Sequence, residues 1–531
     1  MKKKILLLLC LILSSVAFAN VDANNKNTTV NLSLKDLIKK VLQRNNEVLK
    51  QSNQVHISNE QIKYESGIYD PILSASYNKI STHIPNSTEN ELVRYQTEYK
   101  DKVNSFDVGI GGVVQSGANW NLKFTNNSKQ SSLIEQYKSY DTEYDSSVKL
   151  QLEQPLLKGF GQNIVEAKLN LAKIEKDTSQ NIYEQKMMEL QGLVIQLYWK
   201  WYGAEKIYQS WEKSIESAEK SLIELKARAE FGKIAQTDLL EATSSINLRK
   251  SEYENAKSKV FEVKNQILTL LNLNSIDYKH LNFKITDSPD DDKSKLLDLD
   301  TYAKMALENL PEYKALKKSL EKELLQVEFA QNQKLPQLTF VSSAETHSLE
   351  EKNRVSIDES FGKDFVSWSL GLKFSMPLFN TQADSSLNIA KLRLKQIYND
   401  KASMEKNIVN SLSTKIDAVE SANKQSMLYK EGLELKKQLL DIEYEKLYSG
   451  KTSARVLFDK EEDYMNYQRK FLNSIISQKT SEALLLMSTG NLFAKYDIKL
   501  SEFNVGNTNQ LDDKDIFASG ENFKNDNLEI K

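Results

Sequence analysis

Few residue types in this 531-residue chain are spaced to do chemistry. Its four histidines, His56, His83, His280 and His347, are scattered, and no i,i+4 pair offers a metal two nitrogens from one helix face. The one cysteine, Cys10, falls in an N-terminal leader, so the mature chain has no thiolate ligand, thiol nucleophile or disulfide. Asp290-Asp291-Asp292 has the charge density a calcium ion wants, but a like-charge run in a polar stretch reads first as a solvated linker. No glycine-rich phosphate loop follows a strand. The aromatic cluster Tyr198, Trp199, Trp201 and Tyr202 reads as packing rather than a ligand cage. Carboxylates are abundant, and a solvated helix face is their ordinary role. An enzyme therefore has no positive support, and no cofactor or metal is expected. The net charge of −2, or −5 without the three leader lysines, also argues against nucleic acid as a partner.

The chain is instead organised by long elements. Residues 1–19 form a signal peptide: Lys2, Lys3 and Lys4, an apolar run, then Ala17-Phe18-Ala19 before the cleavage point. Residues 163–231 contain no proline and carry an apolar stripe at steps of three and four, including Met187, Leu190, Val194, Leu197, Trp201, Trp211, Ala218, Leu222 and Leu225. That pattern predicts one helix of roughly 100 Å. Gly232 is placed to end it, Thr237 and Asp238 to cap the next helix, and Ala242, Ile246, Tyr253, Ala256, Val260 and Ile267 continue the heptad. Ahead of these helices lie a helix over 34–67 and alternating strand patterns: 72–80, a hairpin of roughly nine-residue strands over 105–126, and a strand around Val148, Leu150 and Leu152. The stretches 81–104 and 126–145 read as polar loops.

The plan then repeats. Leu307 to Glu312 lies 265 residues after Leu42 to Glu47, and Pro336 lies 265 after Pro71. Pro377 lies 222 after Pro155, whereas Leu387-Asn388-Ile389-Ala390 and Gly450-Lys451 lie 218 after Leu169-Asn170-Leu171-Ala172 and Gly232-Lys233. Constant steps within blocks indicate duplication, and the drop from 265 to 222 places a 43-residue excess in the first copy, where the hairpin lies. The organisation is a first structural repeat over 20–273, a connector over 274–299, a second repeat over 300–490 and a polar tail over 491–531. The second copy has a helix over 300–334, strands over 338–344 and 366–376, a long helix over 384–448 and a last helix over 453–489.

In each copy the first and last helices together match one long helix within a turn or two, so a rod can pack against two shorter helices end to end. The fold class is mainly α with a β section, built from tandem-duplicated long-helix hairpins in an α-barrel. One chain offers four strands, or six with the extra hairpin, and even the smallest membrane barrel needs eight. An open edge is not tolerated in lipid, so the chain must assemble with copies of itself, its strands contributing to a shared transmembrane β-barrel.

The duplicated plan, the Gln154-Pro155-Leu156-Leu157-Lys158-Gly159-Phe160-Gly161 segment, its Pro377-Leu378-Phe379 counterpart and the two Gly-Lys turns resemble the outer membrane efflux proteins, the TolC-like channels. The resemblance covers roughly 32–492. It implies a homotrimer with a β-barrel in outer membrane lipid and a helical tunnel in the periplasm. The tunnel tip docks on a periplasmic adaptor and an inner-membrane pump or ABC transporter, and drugs or secreted proteins pass through. The resemblance also implies residue roles: Asp459, nine residues after Gly450, in the pore constriction, and Asp238, six after Gly232, in tip-locking contacts. Val456 occupies the second copy's outer acidic position, a departure that leaves a doubled acidic ring unsupported. Phe231, Gly232, Lys233, Tyr448, Gly450, Lys451 and Arg455 would face the adaptor. The rival readings are a secreted trimeric coiled-coil rod or adhesin, which needs neither the strands nor the matched helix lengths, and a periplasmic adaptor, which would carry one helical hairpin rather than two.

Overall fold

The computed structural model describes residues 28–231, 235–273, 281–289 and 296–503. The leader, Gly232-Lys233, the Asp290-Asp291-Asp292 run and the tail beyond Phe503 lie outside the described residues.

The first copy opens with β1 (Thr28–Leu32), α1 (Leu34–Arg44) and α2 (Asn46–Ser66). It continues through β2 (Ile72–Pro85), α3 (Thr88–Arg94), β3 (Glu98–Val113), β4 (Asn119–Ser131), α4 (Ser132–Tyr137) and β5 (Thr142–Pro155). Short α5 (Gln162–Val165) precedes the 64-residue α6 (Ala167–Glu230) and then α7 (Gln236–Leu270). After β6 (Leu281–Ile285) the second copy runs α8 (Leu299–Asn309), α9 (Pro311–Gln333), β7 (Gln337–Glu350), α10 (Asn353–Ser360) and β8 (Val366–Ser375). The 68-residue α11 (Thr381–Tyr448), α12 (Ala454–Ser488) and α13 (Leu492–Lys495) complete it. The chain forms two compact units, one holding 51–185 and 310–407 and the other the described residues of 1–50, 186–309 and 408–531, so each unit draws on both copies.

In the first unit, β2, β3, β4, β5, β7 and β8 make one six-stranded sheet in that order, every neighbouring pair antiparallel. The hairpin of the 43-residue excess is thus inserted between β2 and β5. The strands are longer than their apolar alternation: β3 has 16 residues and β4 has 13, against the nine expected. The expected loops over 81–104 and 126–145 are in fact strand extensions joined through α3 and α4. The alternation stops early because both faces of the extensions are polar, as in Asn126, Asn127 and Ser128, while backbone pairing goes on. Below the sheet α2 meets α6, where the Ser58 and Ser179 hydroxyls lie 3.0 Å apart, and α9 meets α11 through Val327, Ala330, Leu387 and Ala390.

In the second unit, most of the predicted α6 stripe is buried, with Met187, Val194, Trp201 and Ala218 at 0–1 % exposure. Tyr198, Trp199 and Trp201 are buried among edge-to-face contacts, as a packing role requires. Two glycines let helices touch closely: a Cβ at Gly203 would stand 2.7 Å from Ile476 Cδ1, and one at Gly432 would stand 2.8 Å from the Tyr467 ring, both on α12.

The helix expected over 34–67 is broken at Asn45, and its counterpart over 300–334 at Leu310, both extended in ψ. Leu310 precedes Pro311, which forbids the helical conformation before it. Asn45 is held open by its own amide, which donates to Leu270 O at 3.1 Å and accepts from Glu47 N at 3.0 Å. α7 and α12 are followed by left-handed residues at equivalent places, Asn272 (φ 55°) and Gly490 (φ 73°). Thr237 does not cap α7, whose N-cap is Ala235, and Asp238 sits in its first turn. A parallel β1–β6 pair was not expected. It is fixed by Tyr198, whose hydroxyl lies 3.2 Å from Leu32 O and 3.0 Å from Asp287 Oδ2, while Asp287 accepts the Leu34 N–H at the start of α1.

Candidate functional site

The second Gly-Lys turn shows why glycine is needed there. Gly450 has φ +68°, Gly450 N donates to Leu447 O at 3.1 Å and Lys451 N donates to Lys446 O at 2.8 Å, the double bond of a Schellman end. Tyr448 and Lys451 around it are exposed. In the first turn Phe231 is 79 % exposed, and Gly232 and Lys233 fall outside the described residues. Asp238 is half-exposed in the first turn of α7, where a negative charge complements the helix dipole.

The turns are tied together by residues that sequence reasoning passed over. Arg228, near the end of α6, donates to Leu447 O at 3.0 Å and Tyr448 O at 3.4 Å, capping the C-terminal carbonyls of α11, and pairs with Glu224 at 2.7 Å. Leu225, Ala242, Ala454 and Phe458 form a core shared by α6, α7 and α12. Leu440, Leu447 and Leu457 form a second between α11 and α12. Farther along the same helices, Arg249 of α7 and Glu461 of α12, each 5 % exposed, form an ion pair. The guanidinium also reaches Ser214 O at 3.3 Å and lies 5.2 Å from the Phe458 ring centre. Glu461 accepts from the Tyr444 hydroxyl, which lies 2.7 Å from Ser217 Oγ. Burial, and then the Glu461 carboxylate beside it, push the Tyr444 phenol well above its ordinary range. All four long helices therefore meet at one buried polar cluster. Its signal was present in the sequence: Arg249 occupies a stripe position between Ile246 and Tyr253, where an apolar residue belongs.

Beside the cluster a groove of about 480 Å³ opens between α7 and α12. Glu241, Glu252, Arg455, Asp459, Glu462 and Arg469 line it, with Arg455 Nη1 3.9 Å from Glu241 Oε1. The structure thus brings Asp459 and Arg455 together on an exposed polar groove, and Asp238 is not among its walls. Among the described residues, no group of His, Cys, Asp and Glu could hold a metal ion.

In the other unit the sheet carries its own pattern. Residues directly opposite in an antiparallel ladder share a face. One register row crosses all six strands as Leu73, Ile110, Leu122, Leu150, Ala344 and Trp368. The next row, on the opposite face, reads Ser74, Gly109, Lys123, Lys149, Glu345 and Ser367. One face is therefore apolar from edge to edge, and Leu73 and Trp368 at its two ends are each 73 % exposed. The other face is polar and holds paired charges: Lys123–Asp107 at 2.8 Å, Lys149–Glu345 at 3.1 Å and Lys373–Glu153 at 3.3 Å. Among the described residues no helix is long and apolar enough to cross a membrane.

A family model described as outer membrane efflux protein matches residues 37–273 and 302–491. The chain belongs to the outer membrane efflux protein family. Solved channels share its fold at low identity. The Campylobacter jejuni CmeC outer membrane channel is 15 % identical, with 90 % of each chain covered and a TM-score of 0.61. The open state of the Neisseria gonorrhoeae MtrE outer membrane channel is 16 % identical, covering 86 % of this chain and 89 % of that one, at 0.57. CusC, from a study of folding and transmembrane channel formation, is 14 % identical, covering 86 % and 92 %, at 0.60. No curated protein sequence matches.

This efflux protein is an outer membrane channel, with its strands in the outer membrane and its helices in the periplasm, and its family is one of channels rather than enzymes. The apolar face of the sheet is the lipid face, and the apolar rows of about nine residues per strand suit the hydrocarbon thickness. The polar strand extensions stand clear of it. A secreted rod would have no use for such a sheet.

Proposed function

We propose that this efflux protein works as a homotrimeric exit duct, its sheets closing one barrel in outer membrane lipid. Its helical hairpins dock at their turns on a periplasmic adaptor and, through it, on an inner-membrane pump or ABC transporter that delivers the substrate. The observation that carries this reading is the six-stranded sheet, apolar on one face from edge to edge and, among the described residues, unpaired at both edges, in a member of a family of outer membrane channels. The two copies, 20–273 and 300–490, joined by the connector at 274–299, supply equivalent hairpins to the tunnel.

Within it, Asp459 rings the constriction and Asp238 takes part in locking contacts between hairpins. Phe231, Gly232, Lys233, Tyr448, Gly450, Lys451 and Arg455 form the adaptor-facing turns. The exposure of Phe231 and Tyr448, at 79 % and 64 %, and of the Arg455 side chain, at 71 %, supports a docking role. The test is the mass of the purified protein in detergent together with its conductance in planar bilayers. A trimer with steady unitary currents is expected. A monomer, or a trimer that extracts without detergent and never conducts, would overturn the reading.

A further inference from the structure

The sheet has six strands where the duplicated plan without its insertion would have four, and among the described residues nothing pairs with either of its edges. We propose that three copies join β8 of one chain to β2 of the next and close an eighteen-stranded barrel, with the inserted β3–β4 hairpin built into the wall. The proposal rests on the trimer above and goes beyond it in naming the seam and the bore.

Strand direction permits the seam. Every neighbouring pair in the sheet is antiparallel and six is an even number, so β2 and β8 run in opposite directions. Around a three-fold axis, β8 then meets the next copy's β2 antiparallel, and the alternation continues without a break. A hairpin adds two strands and preserves this parity, whereas a single added strand would not.

The edges are also built to pair. All ten residues of β8 are exposed, as are thirteen of the fourteen in β2, because neither strand has a neighbour on its outer side. Edges meant to stay open are usually guarded by charges, prolines or bulges. β8 carries one charge, Lys373, and no proline, while β2 carries one lysine, Lys79, beyond its apolar row and keeps its proline for the last position, Pro85. In lipid each unsatisfied backbone group on such an edge costs several kcal/mol, and a second copy of the chain removes the cost. The faces match across the seam as well: Leu73, Ala75 and Tyr77 on β2 and Trp368, Leu370, Leu372 and Phe374 on β8 lie on the same apolar side.

The hairpin lines the bore and does not plug it. Asp107 of β3 and Lys123 of β4 pair on the polar face, in line with Lys149–Glu345 on the neighbouring strands. Barrel diameter grows roughly linearly with strand number, so eighteen strands give a bore about 1.5 times as wide as twelve and a cross-section about twice as large. The exit in the outer membrane is sized for a bulkier cargo than the uninserted plan would pass.

The test is electron cryomicroscopy of the full chain in lipid nanodiscs, counting strands in the ring. Eighteen, with β3 and β4 in the wall, is the expected result. A trimer with twelve strands and the hairpin outside the wall overturns the proposal alone, and a monomer overturns the trimer beneath it. Cysteine pairs check the seam independently: Ser74→Cys or Ser76→Cys combined with Ser367→Cys or Ser369→Cys. Oxidation should give covalent trimers on denaturing gels for at least one pair. A folded trimer that yields no inter-chain cross-link in any combination would refute the β2–β8 seam.

Discussion

Replacing Glu461 by leucine should loosen the meeting point of α6, α7, α11 and α12 without unfolding the rest of the chain. Glu461 and Arg249 are both 5 % exposed and paired, so removing the carboxylate leaves a guanidinium in the interior with only the Ser214 carbonyl and the Phe458 ring for company. Breaking a buried pair from one side costs about 3–5 kcal/mol. At about 1.4 kcal/mol per decade, local opening should rise by about a hundredfold to a few thousandfold. Hydrogen exchange read by mass spectrometry on peptides spanning Ser214, Arg249, Tyr444 and Glu461 measures that opening directly. Arg249→Met alone should behave in the same way, because it strands the carboxylate. The double variant, Arg249→Met with Glu461→Leu, buries no lone charge and should return most of the protection. Unchanged exchange in the single variants, or a double variant as open as either single, would refute the claim that this pair locks the four helices.

Tyr444 makes the same cluster sensitive to alkali. Its folded pKa is raised above the unfolded phenol value of about 10, so its contribution is complete below that pH and is lost as pH rises through the folded value. Local opening in this region, taken as exchange corrected for its base-catalysed intrinsic rate, should therefore increase above about pH 10, and Tyr444→Phe should remove that increase. Asp459→Ala should raise single-channel conductance and weaken block by polyvalent cations, and unchanged current with unchanged block would remove Asp459 from the pore axis. Arg228→Ala should leave the last carbonyls of α11 uncapped at a cost of about 1–2 kcal/mol, read as faster trypsin cleavage after Lys451. Gly432→Val should drive a side chain into the Tyr467 ring and lower stability by about 1–3 kcal/mol, with Tyr467→Ala giving part of it back in a denaturation series.

Much of this channel can be read without coordinates, because its signals are periodic and repeated. The α6 stripe needed only a step of three and four, and burial at Met187, Val194 and Trp201 agrees with it. The even alternation of Val366, Trp368, Leu370, Leu372 and Phe374 already marked a strand with one apolar side, since a side chain on a strand has only two directions to point. The duplication came from constant offsets. Helix breaks at Asn45 and Leu310, and left-handed residues at Asn272 and Gly490, stand at matching offsets of 265 and 218.

What escaped depends on partners distant in sequence. The break at Asn45 exists because Leu270 offers a carbonyl more than two hundred residues away. The polar strand extensions are held by backbone ladders and by side-chain hydrogen bonds such as Asn104–Ser128 and Gln130–Thr142, with too few apolar residues to mark a face. Tyr444 and Glu461 looked like surface residues on amphipathic helices until four helices converged on them, and the stripe position of Arg249 marked it as facing inward without naming its partner. Local period is a property of the chain itself, so the sequence determined which stretches are rods, which are strands and which face of each is apolar. Pairing between stretches is a property of their meeting in space, so only the tertiary structure decided that the inserted hairpin joins the sheet, that its edges stay open, and which charges are locked inside.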